Sequence, residues 1–144
     1  MGFLIDASVL IGHERGTVDI GGLIGERSNA PFFLSVITVS ELLHGVHRAR
    51  TRTQRAKRSV FVEAIIDRFP RLPVDLPTAR THAEIWSELA AKGTLIGPHD
   101  LWIAATCVAH GLALATSNVR EFGRIPELQV EDWSKPLSEG ATDS

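Results

Sequence analysis

Short apolar runs separated by long amphipathic stretches constrain this 144-residue chain more than any other feature. FLI (3–5), FFLSV (32–36), LALAT (112–116) and LQV (128–130) each have the length of a strand. The stretch between the second and third carries apolar residues at helical spacing. Strands interleaved with helices predict an α/β fold with a mostly parallel central sheet covered on both faces. One helix is expected from Thr38 through ELLHGV, with Gly45 a weak point in it. A second should span 54–69, where Ala56, Val60 and Ala64, with Phe61, Ile65 and Phe69 one step round, share a side before Pro70 and Pro73 end it. The extended piece LPVD (72–75) leads to a third helix with Ala79, Ala83, Trp86, Leu89 and Ala90 along one face and Gly93 as its stop. Pro98 suits the first position of a fourth, whose core stripe is Leu101, Ala104, Ala105 and Val108 and whose terminator is Gly111. A turn at 117–127 precedes the last strand. Residues 1–133 read as one domain and 134–144 as a polar C-terminal tail.

A chain of this length buries about 70% of its unfolded surface and needs no covalent staples. With 44% apolar and 22% charged residues and no apolar run approaching ~20 residues, it reads as a globular protein without a membrane span. The start, MGFLIDASVL, lacks the basic segment of a secretory signal, and Asp6 stands where a myristoylation motif needs Ser or Thr, so a cytoplasmic protein is expected. The one cysteine, Cys107, lies within IAATCVA and reads as a buried, inert thiol.

Net charge is −2, which gives no global attraction for nucleic acid. The distribution is more informative. No acidic residue lies between Glu41 and Glu63, while Arg48, Arg50, Arg52, Arg55, Lys57 and Arg58 crowd the middle of that interval. Arg48, Arg52 and Arg55 recur at i, i+4 and i+7, one helical face if the segment stays helical. Such a strip serves either as a phosphate-binding surface or as a plain solvated face.

Asp6, Glu41, Asp100, Asn118 and Glu121 are far apart in sequence, yet each follows or opens a segment that would carry it to one edge of the sheet. Taken singly, each has a structural use. Asp6 would cap a helix beginning at Ala7, Thr38 to Glu41 matches a capping box, Asn118 to Glu121 is a looser version, and Asp100 suits a first helical turn. Taken together they point elsewhere, because the crevice beyond the carboxyl ends of the strands is where open α/β sheets bind ligands. Carboxylates ~5 Å apart repel by about 3 kcal/mol per pair at an effective dielectric near 20. Either a cation sits among them or their pKa values are raised. A hard divalent cation takes such oxygen ligands from separate elements and activates water against a phosphate ester. No histidine and cysteine pattern suggests zinc. His44 and His47 accompany the basic strip, and His99 precedes Asp100. Trp86, Trp102 and Trp133 could stack on bases, but the helical patterns around Trp86 and Trp102 favour packing in the core or an interface.

The segments LIDASVLI, ITVSELLHGV, IGPHDLWIAATCVAHGLALATSNVREF and QVEDW together resemble the PIN-domain family, in particular the VapC toxins of type II toxin–antitoxin modules, over about residues 2–133. The resemblance implies a three-layer α/β/α fold and an endoribonuclease that uses Mg²⁺ or Mn²⁺. It matches Asp6, Glu41 and Asp100 to the family's metal-site acids, and Asn118 and Glu121 to its last acidic element. Asn118 departs from the fully acidic pattern, since an amide oxygen brings no charge. Ser8 and Thr116 resemble positions that orient the carboxylates or the scissile phosphate. A homodimer and a separate VapB-like antitoxin covering the acidic groove are also implied, with an arginine of that partner able to balance the carboxylates. The rival readings are a PIN nuclease of RNA maturation or DNA cleavage, and a non-catalytic RNA-binding or interaction module in which the acids merely cap helices.

Overall fold

A computed structural model describes residues 1–27 and 29–134; the tail expected at 134–144 lies, apart from Ser134, outside the described residues. In chain order the elements are β1 (Phe3–Ile5), α1 (Ala7–Glu14), α2 (Ile20–Gly25), β2 (Phe32–Ser35), α3 (Val36–His47) and α4 (Arg52–Arg68). There follow β3 (Arg71–Leu72), α5 (Leu76–Ala91), α6 (Pro98–His110), β4 (Ala113–Thr116), α7 (Val119–Phe122) and β5 (Val130–Asp132). The strands form one five-stranded sheet in the order β3-β2-β1-β4-β5, parallel at every pairing.

Side-chain alternation along the central strands builds the layers. Phe3 and Ile5 of β1 and Ala113 and Ala115 of β4 pack on one face against α1 to α4. Leu4 and Leu114, between them in sequence, pack on the other face against α5, α6 and α7. Both faces being covered explains why the strands read as continuous apolar runs. The expected three-layer α/β/α arrangement is therefore the one observed. Gly111, at φ +66°, closes α6 in the left-handed conformation, as its terminator role requires.

Several elements differ from expectation. α3 begins at Val36, because Ser35, read as strand, is its N-cap and accepts from Ile37 N at 3.0 Å. Thr38 therefore lies inside the helix, fully buried, and no capping box with Glu41 forms. α5 is rotated by one position: Thr78, His82, Ile85 and Leu89 face inward, while Trp86 is 53% exposed and Ala83 and Ala90 are exposed. Its inward face is set by His82, which stacks on Trp102 with ring centroids 3.5 Å apart. Burial holds the His82 pKa below its ordinary value. α2 was not expected from its glycine-rich sequence; Asp19 caps it by accepting from Gly22 N. α7 is a short helix where a turn was expected.

Trp133 is fully buried between Phe3 and Phe32, with its Nε1–H donated to Glu131 Oε1. Arg27 lies over the Phe3 and Trp133 rings and pairs with Glu131, tying the loop after α2 to the last strand. Cys107 is buried, and burial pushes its thiol pKa up, which fits the inert reading. No helix among the described residues is long and apolar enough to cross a membrane. Removing Trp133 by Trp133→Ala should cost about 3–5 kcal/mol in denaturant unfolding, and Trp86→Ala about 1 kcal/mol or less. Similar losses for the two would contradict the faces assigned here.

Candidate active site

The strand order reverses its direction of growth between β1 and β4: the chain passes from β1 outward to β2, and from β4 outward the other way to β5. A parallel sheet leaves a crevice at such a point, beyond the carboxyl ends of the two strands. Asp6 follows β1 directly and Thr116 ends β4. Asp6 N donates to Ala115 O at 2.9 Å, which fixes the two side chains next to each other.

Asp6 has the backbone position of a helix N-cap, but its side chain makes no capping hydrogen bond. Its Oδ2 instead accepts from Ser8 Oγ at 2.7 Å and from Thr116 Oγ1 at 2.8 Å. Each hydroxyl in turn accepts a backbone N–H, Ser8 from Ser117 at 3.1 Å and Thr116 from Asn118 at 3.0 Å. Those two N–H groups occupy hydroxyl lone pairs and aim the hydroxyl protons at Asp6. Of the two uses expected for Ser8 and Thr116, their geometry is that of orienting the carboxylate.

Glu41 comes from the second turn of α3 and Asp100 from the first turn of α6. With no capping box to hold it, Glu41 turns Oε1 into a buried position where no hydrogen-bond partner is present among the described residues. His99 Nδ1 stands 3.9 Å from that oxygen. Burial raises the Glu41 pKa, the charge of Asp6 adds to the effect, and His99 opposes it. Burial also dominates at Asp100, followed by Asp6, a hydrogen bond shared with Glu121, and the charges of Glu121 and Glu41, which together raise its pKa to about 7.

Glu121 shifts the opposite way. The Gly97 N–H, donated to Oε1 at 2.8 Å, holds its carboxyl below the usual range against partial burial, helped by Asn118, Asp100 and Arg124. Asp100 and Glu121 are thus pushed in opposite directions, the one up by burial and neighbouring charge, the other down by the hydrogen bonds it accepts. Asn118 makes no cap either; its Nδ2 donates to Glu121 Oε2 at 2.7 Å. With both oxygens engaged, Glu121 ties the start of α6 to α7 and sets Asp100 in place. The looser capping box expected at 118–121 is replaced by this side-chain pair.

Asp6, Glu41, Asp100, Asn118 and Glu121 offer oxygen donors to the cluster, which suits a hard cation. No three His, Cys, Asp or Glu side chains among the described residues converge into a preformed cage. Mg²⁺ does not need one, since it keeps several waters and takes one or two protein carboxylates together with substrate phosphate. The unpartnered Glu41 Oε1 is a buried acceptor that such a cation or its water would satisfy. Asp6, Glu41 and Asp100 are the residues able to hold it.

The basic strip is only partly brought to this site. α3 ends at His47 with Arg48 as its C-cap, and α4 starts at Arg52 after the N-cap Thr51, so Arg48, Arg52 and Arg55 do not share one helical face. Arg48 lines a cavity that also reaches Glu41 and His99, whereas Arg52 and Arg55 do not line it. Arg15 and Arg58 do, and sequence reasoning missed both. Arg58 was within the strip but on an unmarked face, and nothing in the local sequence singles out Arg15.

A carboxyl whose folded pKa is raised contributes stability that is complete below its unfolded pKa and lost as pH rises through the folded one. For Asp100 that window runs from 3.8 to about 7. In EDTA, Asp100→Asn should therefore gain stability relative to the parent between pH 4 and pH 8, by roughly 1–2 kcal/mol after solvent screening, or a few degrees in Tm. A Tm difference that stays constant across that range would rule out the raised pKa.

Comparison with known proteins identifies the family and supports the fold. The family profile described as the PIN domain matches residues 3–128. The chain is 37% identical over 130 residues to Ribonuclease VapC1 of Rickettsia felis, covering 90% of this chain and 95% of that protein. It is 38% identical over 100 residues to the tRNA(fMet)-specific endonuclease VapC of Salmonella typhimurium, covering 69% and 74% respectively. Its fold superimposes on VapBC2 of Rickettsia felis bound to promoter DNA with a TM-score of 0.84 at 25% identity, over 92% of this chain and 99% of that one. Against DNA-bound VapBC of Salmonella typhimurium the TM-score is 0.83 at 31% identity, over 92% and 98%. With the profile spanning most of its length and relatives of this similarity, the chain belongs to the PIN-domain family, among its VapC proteins.

Proposed function

We propose that this protein is the toxin of a type II toxin–antitoxin pair, an endoribonuclease that hydrolyses RNA phosphodiester bonds with Mg²⁺, or Mn²⁺ in its place, held by Asp6, Glu41 and Asp100. The observation that carries the reading is that three carboxyls from three separate elements lie within reach of one another's charge, Asp6 acting on Glu41 and both on Asp100, with Glu41 Oε1 buried and unpartnered among the described residues and Asp100 raised to about 7. Local capping does not account for Asp6, which makes no cap bond, or for Glu41, which belongs to no capping box. This weighs against a non-catalytic module. RNA as the substrate class is supported by relatives named as ribonucleases.

When bound, Mg²⁺ supplies polarisation of a phosphoryl oxygen and a water acidic enough to act as nucleophile near neutral pH. The protein's residues supply the geometry. Ser8 and Thr116 fix the direction of Asp6 through Oδ2. Glu121, held by Gly97 N and Asn118, fixes Asp100. Glu41 presents a buried acceptor oxygen that can orient the attacking water and receive its hydrogen bond. His99, beside Glu41, is exposed and stands beyond hydrogen-bond distance of Glu41 Oε1, at 3.9 Å, so it takes no proton-transfer role in this proposal.

The structural neighbours described as VapBC complexes support an antitoxin partner for this chain. An arginine from that partner would neutralise the carboxyl cluster and block it at once. A homodimer is part of the same proposal.

Purified protein should cut cellular RNA into discrete fragments in Mg²⁺ or Mn²⁺ and not in EDTA. Asp6→Asn, Glu41→Gln and Asp100→Asn should each lower kcat about 100-fold or more, roughly 3 kcal/mol of transition-state stabilisation, with the fold retained. Ser8→Ala and Thr116→Val, which loosen Asp6 without removing it, should cost about 10- to 100-fold. Full cleavage by the three carboxyl variants would overturn the assignment.

A further inference from the structure

Beside the carboxyl cluster, on the side of α1, α3 and α4, lies an open cavity of about 640 Å³. This is the size of an ordinary small-ligand site, about 300–1,000 Å³. Its apolar surface comes from Ile11, Leu42 and Phe61, and it is continuous with the proposed active site through Glu41 and His99. Its cationic lining comes from Arg15, Arg48 and Arg58.

The three arginines are not equivalent. Arg58 is anchored: its Nη1 donates to Gly45 O at 3.0 Å, and its Nε stands 3.7 Å from Glu14 Oε2. Arg15 and Arg48 are exposed, and among the described residues neither side chain has an ion-pair partner. Two unpaired guanidinium groups beside an apolar surface, next to a cluster that would hold a phosphate, complement a nucleotide. The base would lie on Ile11 and Phe61, and its backbone phosphate would face Arg15 and Arg48. Glu14 of the lining is taken up by Arg58 and Glu41 lies at the edge toward the carboxyl cluster, which leaves Arg15 and Arg48 as the uncompensated charges, so charge complementarity favours a polyanion in the cavity.

The geometry points to this cavity as the subsite for the nucleotide adjoining the scissile phosphate of a single-stranded RNA, with Arg15, Arg48 and Phe61 as its binding residues and Arg52 and Arg55 outside it. The inference rests on the nuclease reading above. Binding of a fluorescein-labelled single-stranded RNA of mixed sequence, roughly ten nucleotides long, is measured in EDTA by anisotropy at several salt concentrations, and cleavage kinetics are measured in Mg²⁺. Arg15→Ala and Arg48→Ala should each weaken binding about three- to tenfold, reduce the salt dependence by nearly one phosphate contact, and raise KM more than they lower kcat. Phe61→Leu, which keeps the core filled, should raise KM without changing the salt dependence. Arg52→Ala and Arg55→Ala should stay within about twofold of the parent, and thermal unfolding should be unchanged by all four arginine variants.

Equal losses for the four arginine variants, or none, would overturn the subsite. So would variants of Arg15 and Arg48 that lose only an antitoxin peptide and keep wild-type RNA affinity. A wild-type protein that cleaves while the cavity variants keep their KM sinks the subsite and leaves the nuclease standing. A wild-type protein that binds RNA through Arg15 and Arg48 yet cleaves nothing sinks the nuclease reading, and the scissile-phosphate subsite with it, while leaving the cavity as an RNA-binding surface.

Discussion

Holding the like-charged Asp6, Glu41 and Asp100 together in a partly buried crevice is the constraint around which the site is arranged. Three carboxyls gathered at the end of two central strands work against folding unless their positions are enforced and their charge is answered. The enforcement comes from neighbouring polar groups. Ser8 and Thr116 hold Asp6, with their hydroxyls oriented by the backbone of the turn after β4. Glu121 holds the start of α6, and with it Asp100, through Gly97 N. The charge is answered in part by the raised pKa of Asp100, and in the proposed working state by a divalent cation.

The sheet topology makes this gathering possible. With the order β3-β2-β1-β4-β5, the first strand and the fourth become neighbours, so residues more than a hundred positions apart meet across a single pairing. α3 then adds Glu41 from one face and α6 adds Asp100 from the other. A half-buried acidic crevice is thus supported by two well-packed apolar layers.

Much of this was legible in the sequence because the strands, buried on both faces, stand out as apolar runs, and because the acids follow or open those segments. What was not legible depended on tertiary contacts. Ser35 and Thr38 both carry helix-start chemistry, and only the end of β2 decides that Ser35 is the cap. The inward face of α5 is lined by Thr78 and His82, which a hydrophobic pattern skips, because their partners lie on α6: His82 stacks on Trp102, and Thr78 Oγ1 lies 3.4 Å from His110 Nε2. The basic strip was visible as composition, but the break at 48–51 redistributes it, and Arg15 joins Arg48 only through folding. Glu121 could be narrowed to ligand or cap from sequence; its actual ties to Gly97 and Asn118 require the loop before α6 to be in place.

The most direct test of the account is calorimetric titration of the metal-free protein with Mn²⁺ at pH 7 in two buffers of different ionisation enthalpy. Because Asp100 titrates at about 7, cation binding at the cluster should release about half a proton at that pH and almost none above pH 9. Asp100→Asn should remove the proton release, and Asp6→Asn should weaken the binding. No binding at all, or binding whose affinity and proton release are untouched by both substitutions, would contradict the claim that these carboxyls form one cation site.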